Sequence, residues 1–320
     1  MASQDGVLTE ALRGFLLSRG ADVVGFGPSA LLESAPHIMR PSRYLPTARA
    51  LVSIALHINE AACDLIGRAA NDHTAPPSYH SYQWFTLSII NLKLDEFAYF
   101  GAKFLEDRGW RSYPVPANIP HDIRPTPEYP GGPGDLSHKH AAVACGLGDF
   151  GWHNLVLTPE FGARQKLVTI VTEAPLRPDP LCMQKLCDPV ACDWACARAC
   201  PTAAISQNAA KKASIRIGEK TVEYARIIGW RCRWGCSGML RCTGGAKDIP
   251  MPKEEPTAEE LMQYKAQSDP WQERLKRYTG LIPYCGRCLC VCPVPAGGKH
   301  KQAECEMRSA QAENISEKSI

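Results

Sequence analysis

Twelve of the chain's fifteen cysteines lie between Cys182 and Cys292, and two groups of them end in Cys-Pro. The first runs Cys187-x4-Cys192-x3-Cys196-x3-Cys200-Pro201, and the second Cys285-x2-Cys288-x3-Cys292-Pro293. A [4Fe–4S] cluster needs four thiolates converging on one cube, and in two-cluster ferredoxins the cysteine before the proline crosses to the other cluster. The spacing therefore predicts two [4Fe–4S] clusters. The first run is looser than the commonest arrangement, so Cys182 competes with Cys187 for the first ligand position. The second run is one ligand short, because Ile282 stands two spacers before Cys285, and the stretch between the runs offers Cys232, Cys236 or Cys242 to complete it.

Two other chemistries use cysteines in number. A disulfide framework suits a short secreted chain with an even count, whereas this chain has 320 residues and an odd one. Structural zinc prefers paired C-x2-C hooks closing one tetrahedral site. Only Cys285-x2-Cys288 has that form, and zinc leaves the proline-terminated runs unexplained.

Such ligands need a scaffold, and 320 residues suffice for a domain of roughly 150 to 180 residues plus a smaller cluster-bearing one. A net charge of +3 with 22% charged residues gives no argument for a nucleic-acid or membrane partner. The longest apolar run, around residues 50–58, is too short to span a bilayer, and the first residues lack a secretory or twin-arginine pattern. These features predict a cytoplasmic protein, and clusters of this kind suit an anaerobic cell.

The elements read as α/β. Leu8, Leu12, Phe15 and Leu16 repeat at helical spacing up to Gly20, and a short strand follows over 22–26. Residues 50–58 and 166–172 read as buried strands. Leu87, Ile90, Leu94, Phe97, Gly101 and Phe104 form the stripe of a long helix over 82–110, stopped by Gly109. Seven prolines between Pro114 and Pro133 predict an irregular stretch, either a binding loop or a wrap around a cofactor. The cluster domain begins near Pro178. It carries a polar excursion over 206–220 and an acidic, helix-prone one over 247–276, with a helix start at 256–260, and the tail after Pro295 frays.

One block remains. Residues 144–154 hold Gly146, Gly148 and Gly151 ahead of His153 and Asn154, and lead into Thr158-Pro159-Glu160-Phe161-Gly162-Ala163-Arg164 and the strand ending Thr172-Glu173-Ala174-Pro175-Leu176. Glycines permit close backbone approach to an extended cofactor, although structural turns give the same pattern. The block does not follow a strand as a dinucleotide fingerprint does, so no nicotinamide site is read.

Taken in order, the G-L-G-x-x-G-x-H-x-L block, the T-P-E-F-G-x-R stretch, the strand exit and the two Cys-Pro runs resemble the reductive dehalogenase and epoxyqueuosine reductase superfamily over about residues 40–295. The resemblance implies a nitroreductase-like α/β (α+β) corrinoid-binding domain over 1–177, a ferredoxin-like two-cluster domain over 178–300 and a polar tail over 301–320. It implies a base-off corrinoid, cobalamin or a relative, reduced by the two [4Fe–4S] clusters. It assigns Cys187, Cys192, Cys196 and Cys292 to one cluster and Cys200, Cys232, Cys285 and Cys288 to the other, with Cys236 the alternative to Cys232 and with Cys242, Cys290 and Cys305 spare. Gly146, Gly148, Gly151, His153, Asn154, Thr158 and Arg164 match the family's corrinoid-facing block, so valine at Gly148 should weaken cofactor binding and spare the clusters.

The family's usual proton donor is a tyrosine supported by a cation, because a phenol alone is a poor acid at neutral pH. Tyr82 is the first candidate and Tyr79 the second, with Lys139 as the cation. The epoxyqueuosine reductase run K-Y-x-x-G-x-D-Y-H is missing, with Tyr79-His80-Ser81-Tyr82 the nearest text, and so is the export signal of respiratory dehalogenases. The resemblance therefore implies a compact, corrinoid-dependent reductase of a small-molecule substrate, fed by reduced ferredoxin or flavodoxin. The rivals are a non-catalytic electron-transfer protein that re-reduces another protein's corrinoid and an RNA-modifying reductase.

Overall fold

The computed structural model describes residues 4–70, 82–118, 136–243, 248–257, 259–260, 263–264 and 285–294. Its centre is a four-stranded antiparallel sheet in the order β1-β2-β6-β3, formed by β1 (Val23–Pro28), β2 (Ala50–His57), β3 (Ser112–Val115) and β6 (Gln165–Thr172). The two middle strands alternate between two cores. Val52, Ile54, Val168 and Ile170 join one side, with Leu12 and Leu16 of α1 (Gln4–Ser18) and Leu94, Phe97 and Leu105 of the long helix. Leu51, Ala55 and Val171 join the other, against a helix that buries Ala141, Ala142, Val143 and Ala144. Both faces being covered, these strands carry almost no polar alternation.

Three further helices precede the glycine block: α2 (Pro41–Tyr44), α3 (Glu60–Ala70) and α4 (Ile90–Glu106). Residues 82–83 are helical, and a π-helical turn over Trp84–Ile89 leads from them into α4; the chain just before Tyr82 lies outside the described residues. Pro114 does not lie in irregular chain. It sits in β3, paired with Ile170, at the sheet's edge where the missing N–H is tolerated. The rest of the proline-rich stretch from 119 to 133 lies outside the described residues.

The glycine block follows α5 (His138–Ala144), and Gly146 at φ +77° ends that helix, with its N–H on the Val143 carbonyl at 3.0 Å and the Leu147 N–H on Ala142 at 2.9 Å. This is the left-handed close that glycine allows without a Cβ penalty. A small hairpin of β4 (Asp149–Phe150) and β5 (Val156–Leu157) comes next.

The polar excursion over 206–220 folds as part of a second hairpin, β7 (Lys212–Ile217) and β8 (Lys220–Ala225), not as an open loop. Ile217, Val222 and Tyr224 bury into the core behind α5, so the hairpin seals the first half of the chain. Asp179 ties the start of the cysteine-rich half to β1 through Arg13 (2.7 Å) and the Phe26 N–H (3.0 Å). Three short helices carry cysteines: α6 (Ala195–Arg198), α7 (Gly229–Cys236) and α8 (Arg287–Cys290). Of the acidic excursion, Thr257 and Glu260 are described. They form a reciprocal capping box (2.8 and 3.2 Å), the helix start expected there. No helix among the described residues is long and apolar enough to cross a membrane.

Candidate metal centres and the adjoining cavity

Cys187, Cys192 and Cys196 of the first run and Cys292 of the second line one cavity of about 320 Å³, together with Trp152, His153 and Pro293. Burial pushes the Cys196 thiol up to about 12, and the neighbouring thiols of Cys292, Cys187 and Cys192 push it further. Burial likewise raises Cys292 to about 11, again with Cys187 and Cys192 adding to the effect. Thiols that raise one another in this way cannot all ionise together unless a cation offsets the charge, and bound iron does so. The Trp152 N–H donates to Cys187 Sγ at 3.2 Å, the kind of N–H···S bond that stabilises a ligating thiolate. Among the described residues no three His, Cys, Asp or Glu side chains are grouped so as to hold a single metal ion. The four thiols stand instead around a shared space, and that donor set fits a [4Fe–4S] cluster.

The second set gathers beside the first. Burial raises the thiols of Cys285 and Cys288. Cys288 and Cys200 press electrostatically on Cys285, while Cys232, Cys196 and Cys200 press on Cys288. Cys200 Sγ accepts from the Ala204 N–H at 3.3 Å. Cys196 and Cys288 also pack in one apolar cluster, which makes the two thiol sets neighbours. On α7, Cys232 and Cys236 are one turn apart and hydrogen-bonded, and that bond, with burial, raises Cys232 well above the ordinary thiol range. Cys232 heads the thiols acting on Cys288. Cys232→Ala is therefore expected to reduce iron from about eight to about four atoms per chain, with Cys236→Ala retaining about eight. Iron and sulfide analysis of anaerobically purified protein checks this, and the reverse outcome would give the position to Cys236.

A larger cavity borders α5 and Asn154 of the glycine block. It holds about 800 Å³ and is lined mainly by apolar side chains, among them Leu31, Leu32, Met39, Leu136 and Ile217, with Lys139, His138, His140 and Asn154 on one wall. Cavities for drug-sized ligands run roughly 300–1,000 Å³, so this one is large enough for an extended ligand. The wall also touches the second thiol set electrically: burial lowers the Lys139 pKa, and Cys232 and Cys288 pull it back up. Lys139 Nζ donates to the Asn154 carbonyl (2.9 Å) and Oδ1 (3.1 Å), and Asn154 holds a left-handed φ of 58°.

Burial lowers the His140 ring from 6.5 to about 4, helped by the Lys139 charge. The ring lies between Ser137 Oγ at 2.7 Å and Tyr224 Oη at 3.2 Å. The unfolded chain therefore takes up this proton first, and stability is lost as pH falls through 6.5 and levels off below about 4. Denaturation midpoints measured across that window should fall with pH, and His140→Gln should reduce the dependence and leave the part that the equally lowered His153 contributes.

Other members of the glycine block serve the protein's own packing. A Cβ at Gly146 would strike the Pro180 carbonyl, and one at Gly148 the Leu157 carbonyl. At Gly151 it would come within 2.5 Å of the His153 ring. Valine at Gly148 would thus displace backbone and is no clean probe of cofactor binding. Thr158 is fully buried, donating to Gln165 Oε1 (3.0 Å) and accepting from the Phe161 N–H (3.1 Å), and so fixes the turn before β6. Arg164 engages Glu60, Asp64 (2.8 Å) and the Cys290 carbonyl (3.2 Å), clamping α3 to α8. These contacts hold Arg164 and Thr158 in the protein's own ion pairs and turns. Of the block, only Asn154 lines the large cavity, whereas His153 lines the first thiol cavity.

Tyr82 is buried (2% exposed), and its hydroxyl accepts from Cys290 Sγ at 3.5 Å. A Cβ on Gly286, between Cys285 and Cys288, would strike the same hydroxyl. Tyr82 therefore meets the second cysteine run, and is not among the residues lining the large cavity. Tyr79 and Cys305 lie outside the described residues. Sequence reasoning missed Lys166, which burial lowers to about 8 while the thiols of Cys236, Cys290, Cys63 and Cys288 push it back up. The only signal was a lysine at the head of an otherwise apolar strand.

Comparison with solved structures reports the fold. A reductive dehalogenase described with a mechanism for B12-dependent dehalogenation superposes with a TM-score of 0.50 at 18% identity, over 90% of this chain and 38% of its own. A catabolic reductive dehalogenase in complex with 3-bromo-4-hydroxybenzoic acid gives 0.48 at 19%, over the same shares. An epoxyqueuosine reductase bound to a tRNA stem loop gives 0.44 at 18%, over 89% and 79%. The expected fold is thus the observed one, and this chain spans little more than a third of the dehalogenase chains' length. No family model and no curated protein matches the sequence.

Proposed function

We propose that this chain is a corrinoid-dependent reductase in which two [4Fe–4S] clusters deliver single electrons to a corrinoid held in the 800 Å³ cavity. The reading rests on one observation above all: thiols from two runs nearly a hundred residues apart line a single cavity, and thiols of a second set act electrostatically both on Cys196 of that cavity and on Lys139 of the large one. Cys187, Cys192, Cys196 and Cys292 would hold the first cluster, and Cys200, Cys232, Cys285 and Cys288 the second. The walls around Leu31, Leu136, Lys139, Asn154 and Ile217 would hold the corrinoid, within residues 1–177 closed by the β7–β8 hairpin. A corrinoid held there would supply, once reduced, a strong nucleophile or one-electron reductant for cleaving a substrate bond.

The chain's own residues give that chemistry its setting. Apolar walls exclude water. Lys139, desolvated and held by Asn154, places a cation where negative charge arrives, and can hold or release a proton at Nζ. Reduced ferredoxin or flavodoxin would supply the electrons, and the substrate is a small molecule reaching the cavity from its open side.

Tyr82 favours a second reading. A reductase with a tyrosine acid needs that hydroxyl in the cavity, and here it faces Cys290 and Gly286. A protein that only re-reduces another protein's corrinoid has no such need. Titration of the anaerobic, cluster-loaded protein with cobalamin separates the two: a base-off absorption spectrum at saturation supports the reductase, and no binding under reducing conditions leaves the electron carrier.

A further inference from the structure

His153 sits on the wall of the first thiol cavity with Cys187, Cys192, Cys196 and Cys292, and it is 5% exposed. Its Nδ1 accepts the Leu155 N–H at 3.2 Å, so that nitrogen carries a lone pair and the ring's proton is on Nε2. Nε2 is buried and has no hydrogen-bond partner among the described residues. A buried N–H without an acceptor is destabilising, and the structure keeps this one through two separate devices. The Leu155 N–H sets the tautomer, and Gly151 supplies room for the ring, since any side chain there would meet the imidazole at 2.5–3.2 Å.

We infer that His153 is a positioning residue for the first cluster, donating its Nε2–H to a thiolate or sulfide of that cluster and so setting its reduction potential. The inference rests on the cluster assignment proposed above. It moves His153 from the corrinoid side, where the sequence block places it, to the electron-transfer side. The tautomer decides between donor and ligand: a nitrogen that carries the proton cannot bind iron, so the four cysteines remain the ligand set. Reduction adds one electron to a cluster already negative through its thiolates, and an N–H pointed at sulfur stabilises the more negative state. His153 therefore raises the potential of this cluster alone.

The test uses full-length, cluster-loaded protein. Redox titration followed by electron paramagnetic resonance should give two midpoint potentials. In His153→Phe one of them should fall and the other stay. In His153→Gln, whose amide offers an N–H in a similar place, the lowered potential should recover in part. Unchanged potentials in an iron-replete His153→Phe protein would overturn the inference and leave the ring a packing group. Should that variant lose iron, the wild-type protein decides: with 15N-labelled histidine, pulsed paramagnetic resonance of the reduced first cluster should show a weak nitrogen coupling through the hydrogen bond. No coupling, or the strong coupling of a directly ligated nitrogen, overturns the inference. Absence of iron from wild-type protein would instead remove the cluster assignment itself, which analysis of metal content reports separately.

Discussion

Cys292→Ala is expected to destroy the cluster of the first cysteine run while leaving that of its own run intact. Cys292 stands two residues after the end of α8 but lines the space shared by Cys187, Cys192 and Cys196. Iron should fall from about eight to about four atoms per chain, with sulfide in step. The double variants make the assignment sharper. Cys187→Ala with Cys292→Ala should retain about the same four iron atoms as either single change, because both remove ligands from one cube, whereas Cys200→Ala with Cys292→Ala should lose nearly all. Two losses from Cys187→Ala with Cys292→Ala would show that the runs do not exchange their last cysteines. Zinc in place of iron, with all eight cysteines intact, would end the cluster reading altogether.

Ala35→Trp is expected to abolish corrinoid binding and spare both clusters. Ala35 is a half-buried wall residue of the 800 Å³ cavity, remote in sequence from every candidate ligand. An indole there projects into the space a large flat ligand would need. A tenfold weakening corresponds to about 1.4 kcal/mol, and steric exclusion from a shared cavity should exceed that. Cobalamin titration should show the loss, with iron content and the cluster absorption as controls. The substitution replaces Gly148→Val as the probe, since the Leu157 carbonyl fills the Cβ direction at Gly148 and a side chain there would disturb the hairpin and not the cavity alone. Unaltered corrinoid affinity in Ala35→Trp would place the cofactor elsewhere.

Part of the architecture was readable because it is local. The helix stripe from Leu87 to Phe104, the strands at 50–58 and 166–172 and the helix stop at Gly109 each follow from periodicity or one backbone requirement, and the structure has them within a few residues. The order and direction of the sheet were not readable. Its middle strands are buried on both faces, so nothing in their side-chain pattern says that β2 pairs with β6, 108 residues away at the His57–Gln165 pair, or that the pairing is antiparallel. The β7–β8 hairpin was hidden by its composition: Lys212, Arg216 and Glu223 face solvent, while Ile217, Val222 and Tyr224 bury into the core behind α5.

The candidate site divides along the same line. Cysteine type and spacing carried the proposal of metal chemistry, since few ligand sets other than two iron–sulfur cubes use thiols in proline-ended runs. The glycine block could be located but not interpreted, because a missing side chain reports only that something comes close. Tertiary structure decided what that is: Pro180 at Gly146, Leu157 at Gly148 and the His153 ring at Gly151. It also decided that Arg164 spends its guanidinium on Glu60 and Asp64, that Tyr82 turns to Cys290, and that Lys139 stands between the large cavity and the second thiol set. Which direction a side chain points, and which distant charge it meets there, depends on contacts between segments far apart in the chain, and spacing along one segment carries no record of them.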